Sequence, residues 1–501
     1  QSPRLLPDEG SREGSIPQAL MLMNGPVHDL LAGRNSALMG AVDQHEKRGE
    51  KVEELYLGFF ARPPSEVEAD RIEQVLDEGM TLSDLVWTLY NMPEFLFVSV
   101  TPTPFTHTIS AMNNRRQFIE RCALSAFGLS VLPNLANGQE GAAGFGSAKR
   151  IIFLNAQGGM SHIDTFDPKE GSAKGPGKTI STSADFQVTE YLKETAKIAD
   201  QISVIRTMTS NIGVHEQATY FMRTAYAQRA TVKHPNLGAW AEHFLGASHD
   251  TLPSSACINN GPRHGNGFFP PSYSPIPILD PESGLQNIKS RDGSDALKKK
   301  LDLAQELSAG FLGRYPASNV KAYQEFYDNS IRLLRSEDLA AFDLTQESKK
   351  VREQYGSSKF GQGCLLARRL VEAGIRYVEV SGGGWDMHQN LETEMEETSP
   401  PFDQAYATLI TDLKERGLLD STLVVLATEF GRKSQYNGGG RGHYPICFST
   451  ALAGAGIKRG FVYGESDKRG EWGDKPVTIG DFHATIGHAA GIPLEQPYVS
   501  A

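Results

Sequence analysis

FGQGCLLARRLVEAG at residues 360–374, running straight into IRYVEVSGG at 375–383, decides the fold of this chain. The first stretch reads as an amphipathic helix closed by Gly374, and the second as a short apolar strand. The unit recurs where PFDQAYATLITDLKERG at 401–417 ends on a glycine and leads into STLVVLATEFG at 421–431. Helix, capping glycine and buried strand, repeated, predict a parallel sheet covered on both faces. Outward from this pair, RIIFLNAQGG at 150–159 and QISVIRTM at 201–208 read as further strands, and HEQATYFMRTAYAQ at 215–228 as a helix. The expectation is an α/β domain over 149–501, with a mostly parallel central sheet flanked by helices.

Ligands of such sheets bind beyond the carboxyl ends of the strands, and the polar clusters fall there. Asp386 and His388 lie in GGGWDMH at 382–388, Glu429 in VVLATEFGR at 424–432, and His443 in GGGRGHYP at 438–445. After the first strand, GGMSHIDTFDPK at 158–169 adds His162, Asp164 and Asp167, of which Asp164 is the preferred ligand. Each alone reads better as a capping carboxylate or a satisfied surface histidine. Gathered at successive strand ends, they suit a divalent metal such as zinc, manganese or iron better than magnesium. His215 opens a helix, where free N–H donors favour an anionic group. Arg206 and Arg441 are candidates to clamp such an anion bidentately, with structural ion pairs as the other reading.

At 501 residues the chain has length for two or three domains, and its net charge of −11 argues against a general nucleic-acid binder. The four cysteines, Cys122, Cys257, Cys364 and Cys447, form no CxxC or CxxH pair, so the last three are expected as buried thiols. The proline-rich FFPPSYSPIPILDP at 268–281 and the charged SDALKKKLDLAQELSAGFL at 294–312 interrupt the α/β rhythm. Residues 251–345 are therefore expected as an insertion or cap over the active face.

MNNRRQFIERCALSAFGLSVLPNLANG at 112–138 has the polar start, adjacent arginines, apolar run and small-residue end of a twin-arginine export signal. It is too short and too broken by glycine and proline for a comfortable membrane span. Its place in mid-chain, after the linker 101–111 and opening on Met112, points to two adjacent reading frames joined. Within the leading residues 1–100, residues 46–97 read as helices, with Ser65 an N-cap before Glu66–Asp70 and a further helix from Thr81 or Ser83 to Asn91. SIPQALMLMNGPVHDLL at 15–31, LYLGFFARPPSEVE at 55–68 and NMPEFLFV at 91–98 resemble the C-terminal tail of the domain of unknown function 1553 family, so this segment is expected as a helical remnant.

GGMSHIDTFDPK, GWDMH, LLARRLVEAGIRYVEV, TEFGR, GGGRGHYP and ALAGAGIKRGFVYGESD, in that order, make residues 149–501 similar to the domain of unknown function 1501 family. That resemblance implies an alkaline phosphatase or sulfatase-like fold, export by the twin-arginine route to the periplasm or beyond, and one or two divalent metals at the strand ends. It implies Asp164, Asp386, His388, Glu429 and His443 as ligands, and His215 as nucleophile, general acid or ligand, with Arg206 or Arg441 steadying developing charge. Three positions depart from the pattern: Gly442 replaces an aspartate, Lys433 a threonine, and Phe430 stands where phosphatases often carry a histidine. Ser210 and Thr209 are the other options for a nucleophile, and no sulfatase-type Cys-x-Pro-x-Arg motif is present. The function implied is an exported metal-dependent hydrolase of sulfate or phosphate esters, acting on an anionic small molecule or polysaccharide ester; the alternative is a non-catalytic exported binding protein that keeps the fold.

Overall fold

The computed structural model describes residues 16–33, 36–97, 144–260, 265–288, 293–314, 318–435 and 439–495. The linker 101–111 and the signal-like segment 112–138 lie outside the described residues, as does Cys122. Among the described residues, no helix is long and apolar enough to cross a membrane.

The strands, in chain order, are β1 (Arg150–Ala156), β2 (Thr179–Ser181), β3 (Gln187–Thr189), β4 (Ile202–Thr209), β5 (Ser255–Ile258), β6 (Ile276–Ile278) and β7 (Tyr377–Gly382). They continue with β8 (Thr422–Ala427), β9 (Gly431–Arg432), β10 (His443–Tyr444), β11 (Phe448–Gly454), β12 (Phe461–Tyr463) and β13 (Val477–Thr478). The central sheet has the order β12-β4-β11-β8-β1-β7-β5-β6, with β13 also paired to β4. β1 lies parallel between β7 and β8, in a register that sets Ile152 beside Val378 and Val424. Every residue of β7, β8 and β11 is buried, as strands covered on both faces require.

β11 runs antiparallel to both β4 and β8. Its direction follows from the connection: between β8 and β11 the described residues form the β9–β10 hairpin, and the chain re-enters the sheet from the end it left. A parallel return would have needed a crossover helix.

The helix over Lys359–Glu372 is capped by the Ser358 side chain, which accepts from Gly361 N, and Gly374 (φ 111°) turns the chain into β7. The next helix, Leu391–Glu415, starts ten residues before the stretch read from the sequence and carries Pro400 and Pro401 inside it. Buried Met395, Ser399, Phe402 and Tyr406 continue one face across the prolines, so packing against the sheet outweighs the lost backbone bonds. Cys257, Cys364 and Cys447 are free, buried thiols.

Among the described residues of 251–345, expected as an insertion or cap, one part joins the sheet and another packs on the leading helices. β5 and β6 extend the sheet in parallel beside β7, and Pro277 is tolerated because β6 is an edge strand. The helices Ser294–Arg314 and Ser318–Leu334 share an apolar core with the leading helices, and Leu333 also joins the core of the sheet domain. Those leading helices include Ile16–Asn24, Arg48–Phe60, Glu66–Asp77, Leu82–Tyr90 and Pro93–Phe97. Ser65 and Thr81 each form a reciprocal capping box, with Glu68 and Asp84 respectively.

Candidate metal centre

Four side chains converge at the carboxyl ends of the strands. Asp386 and His388 come from the loop after β7, His443 opens β10, and His215 is the first residue of the helix His215–Thr224 that follows β4. One potential ligand atom from each lies within 4.8 Å of the others, and among the described residues they form the group able to hold a metal ion. The Oδ1 atom of Asp386 lies 3.2 Å from His215 Nε2, 3.0 Å from His388 Nε2 and 3.4 Å from His443 Nε2. His388 Nε2 and His443 Nε2 are 2.9 Å apart.

Two of the imidazoles have their tautomers set from behind. His215 Nδ1 donates to Glu429 Oε1 at 2.7 Å, and that oxygen also accepts from Gly158 N at 2.9 Å. His443 Nδ1 donates to the carbonyl of Gly213 at 2.8 Å, which fixes its proton on that nitrogen. A neutral imidazole protonated at Nδ1 presents a lone pair at Nε2. Lone pairs from two histidines and a carboxylate oxygen therefore point at one another, an arrangement that a shared cation would stabilise. Second-position partners of this kind are what ligating histidines characteristically have. Three nitrogens and one carboxylate oxygen also match the donor chemistry of zinc, manganese or iron.

Arg432, which sequence reading passed over, is the buried support of the centre. Its Nη2 donates to Asp386 Oδ1 at 2.6 Å, to the Trp385 carbonyl at 3.3 Å and to the Gly158 carbonyl. Nε donates to the Gly159 carbonyl at 2.8 Å and Nη1 to the Arg441 carbonyl at 3.0 Å. Burial works to raise the Asp386 carboxyl, but the Arg432 guanidinium overrides it and holds the group down at about 2. The hydrogen bond to Glu429 raises His215 above its ordinary value, whereas burial lowers His443. Phe430 forms an apolar wall, its ring centroid 4.7 Å from that of His215 and 4.6 Å from that of His443.

Glycines let the backbones close up here. Gly158 (φ 113°) touches the Asp386 loop so closely that a Cβ would stand 2.4 Å from Asp386 N, and a Cβ at Gly440 would stand 2.4 Å from the His388 carbonyl carbon. The loop bearing Asp386 and His388 is thus clamped between two glycine-lined segments.

Of the residues singled out from the sequence, Asp386, His388 and His443 meet directly and His215 completes their set. Glu429 stands behind His215 and is not in the converging group. Asp164 and Arg441 are elsewhere: they form a fully buried bidentate pair, Arg441 Nε to Oδ2 at 2.7 Å and Nη2 to Oδ1 at 3.1 Å. Arg441 also donates to the carbonyls of Ala173, Lys433 and Ser434. The expected ligand and the expected anion clamp therefore neutralise each other inside the protein. Arg206 donates to the carbonyls of Phe166 and Gln187 and lies 3.4 Å from Asp167, in the loop after β1. His162 is buried against the Gly470 carbonyl. Ser210 Oγ accepts from Ile212 N at 3.2 Å within its own turn.

A family model described as "Protein of unknown function (DUF1501)" matches residues 148–501. None of the curated proteins compared with the chain matches it. Similar solved structures include the lipoteichoic acid synthase LtaP from Listeria monocytogenes, at 9% identity, covering 70% of this chain and 74% of that one with a TM-score of 0.35. The alkaline phosphatase of the Antarctic bacterium TAB5 is 11% identical, with 68% and 98% covered and a TM-score of 0.32. The PsFucS1 sulfatase from Pseudoalteromonas sp. is 13% identical, with 70% and 68% covered and a TM-score of 0.35.

Proposed function

The chain belongs to the DUF1501 family, and from that premise we propose that it is an exported metal-dependent hydrolase of sulfate or phosphate esters. The observation that carries the proposal is the convergence of three imidazole nitrogens on the Asp386 carboxylate, two of them with their lone pairs fixed inward by Glu429 and Gly213. A divalent ion held by His215, Asp386, His388 and His443 would supply Lewis acidity toward an ester oxygen and lower the pKa of a bound water.

The chain's own residues supply the rest. Glu429 keeps a proton on His215 Nδ1 and so keeps Nε2 facing the centre. Arg432 keeps Asp386 ionised and aimed. Phe430 excludes water from the back of the imidazoles, which strengthens every charge interaction at the centre. An anionic ester approaches past exposed Lys433, whose aliphatic chain runs beside Gly442, and meets the positive end of the helix begun by His215. The substrate class that fits is an anionic small molecule or polysaccharide ester. The twin-arginine-like segment at 112–138 supports export to the periplasm or beyond.

Metal analysis of the purified full chain tests the first half of this reading. One equivalent or more of a divalent transition metal is expected, and loss of it in His388→Ala and His443→Ala. A chain that binds no metal, or binds it unchanged in both variants, sinks the proposal. Metal-loaded protein inert toward a panel of aryl sulfates and phosphates would leave the binding-protein reading in its place.

A further inference from the structure

The helices Ser294–Arg314 and Ser318–Leu334 pack mainly on the leading segment, with Leu333 alone among their buried leucines entering the core of the sheet domain. Leu297, Leu301, Leu303, Ala304, Leu307 and Tyr327 are buried in one core with side chains of the leading helices, and none of the six enters either core of the sheet domain. Polar contacts pin the same surface. Lys300 is buried, with its ammonium 3.5 Å from Asp84 and 4.8 Å from the ring centre of Trp87. Arg71 Nε meets Glu306 Oε2 at 2.5 Å, and the Tyr327 hydroxyl donates to Asn91. Remove residues 16–97 and this pair of helices would present a continuous leucine-rich face to water, which soluble proteins rarely tolerate.

Between the two halves of that interface the sequence carries Met112 and an export-signal-like stretch ending at Gly138. A chain interrupted there could keep its leading helices only through this surface and the smaller contact that Leu20 and Asn24 make with the sheet domain. We propose that helices 294–334 are a docking surface for a helical partner, and that residues 16–97 are that partner, held by the interface itself and not by the backbone that joins them. The partner is a capped helical bundle whose buried side chains include Leu85, Val86, Trp87 and Leu89, with Asp84 and Arg71 to match Lys300 and Glu306.

The test keeps the whole protein. A protease recognition sequence inserted between Thr106 and His107 is cut to completion, as seen on a denaturing gel, and the product is run on gel filtration at about 1 µM, a concentration that a specific interface survives. The two pieces are expected to co-elute. Leu301→Ala should weaken their association at least tenfold, and Arg71→Glu several-fold, with Glu306→Arg on the Arg71→Glu background restoring it. Because Arg71 and Glu306 are largely exposed, that swap does not threaten folding. Separation of the unmutated pieces overturns the proposal, as does association indifferent to all three substitutions.

Discussion

Two aspartate–arginine pairs stand near the same sheet edge and do opposite things. Asp386 and Arg432 meet at 2.6 Å with the carboxylate half exposed, its oxygen also facing three imidazoles. Asp164 and Arg441 meet at 2.7 Å with both side chains sealed from water, and Arg441 also donates to the main-chain carbonyls of Ala173, Lys433 and Ser434. The first pair leaves a carboxylate oxygen available for a cation. The second bolts the loop carrying His443 to the loop after β1, and its charges are unavailable to any ligand. Charge and residue type are identical; access to water and to neighbours separates a ligand from a fastener.

The largest effect that would break this contrast is on stability. Asp164→Ala strands a buried guanidinium and is expected to cost about 3–5 kcal/mol in urea unfolding, the usual penalty for halving a buried pair. Metal content per folded molecule should be little changed; metal loss without destabilisation would reverse the assignment. Asp386→Asn should show the inverse pattern, weakening metal affinity by more than about 100-fold, since even outer partners of ligands cost about 10–100-fold. Its unfolding midpoint should stay near that of the parent when no metal is added.

Glu429→Gln is predicted to weaken metal binding by about 10–100-fold, because an amide no longer enforces the inward tautomer of His215. Isothermal titration with zinc would measure it, and an unchanged affinity would remove Glu429 from the centre. The smallest effect concerns pH. Asp386 is held at about 2, below the ordinary 3.8, so its pairing stabilises the fold fully above about pH 4 and fades as pH falls toward 2. Half exposure keeps the contribution under about 1 kcal/mol. Metal-free wild type and Asp386→Asn should therefore differ slightly at pH 5 and converge near pH 2; divergence on acidification would refute the pairing.

What the sequence disclosed was local chemistry on local structure. The glycine-terminated helices before β7 and β8, the buried strands, and the placement of Asp386, His388 and His443 beyond strand ends were all legible from spacing and composition. Partner choice was not. Asp164 and Arg441 are 277 residues apart, and no periodicity tells a carboxylate whether a metal or a guanidinium will face it. Arg432 went unnoticed because an arginine after TEFG looks like a surface residue until two strands bury it. β5 and β6 were hidden by shortness and by Pro277, which an edge strand accepts. For the helices at 294–334, the apolar stripe does not say which core it will join.

The clamp of Gly158 and Gly440 around the Asp386–His388 loop carries a further consequence. Main chain, pressed against main chain, helps to set where the ligand-bearing positions stand, beside the Arg432 contact and the buried side chains of Trp385 and Met387. Such a centre can change its ligand chemistry by single substitutions without losing its shape, so a lineage could exchange one metal for another, or metal for none, on an unaltered scaffold. A side chain added at either glycine would end that freedom at once.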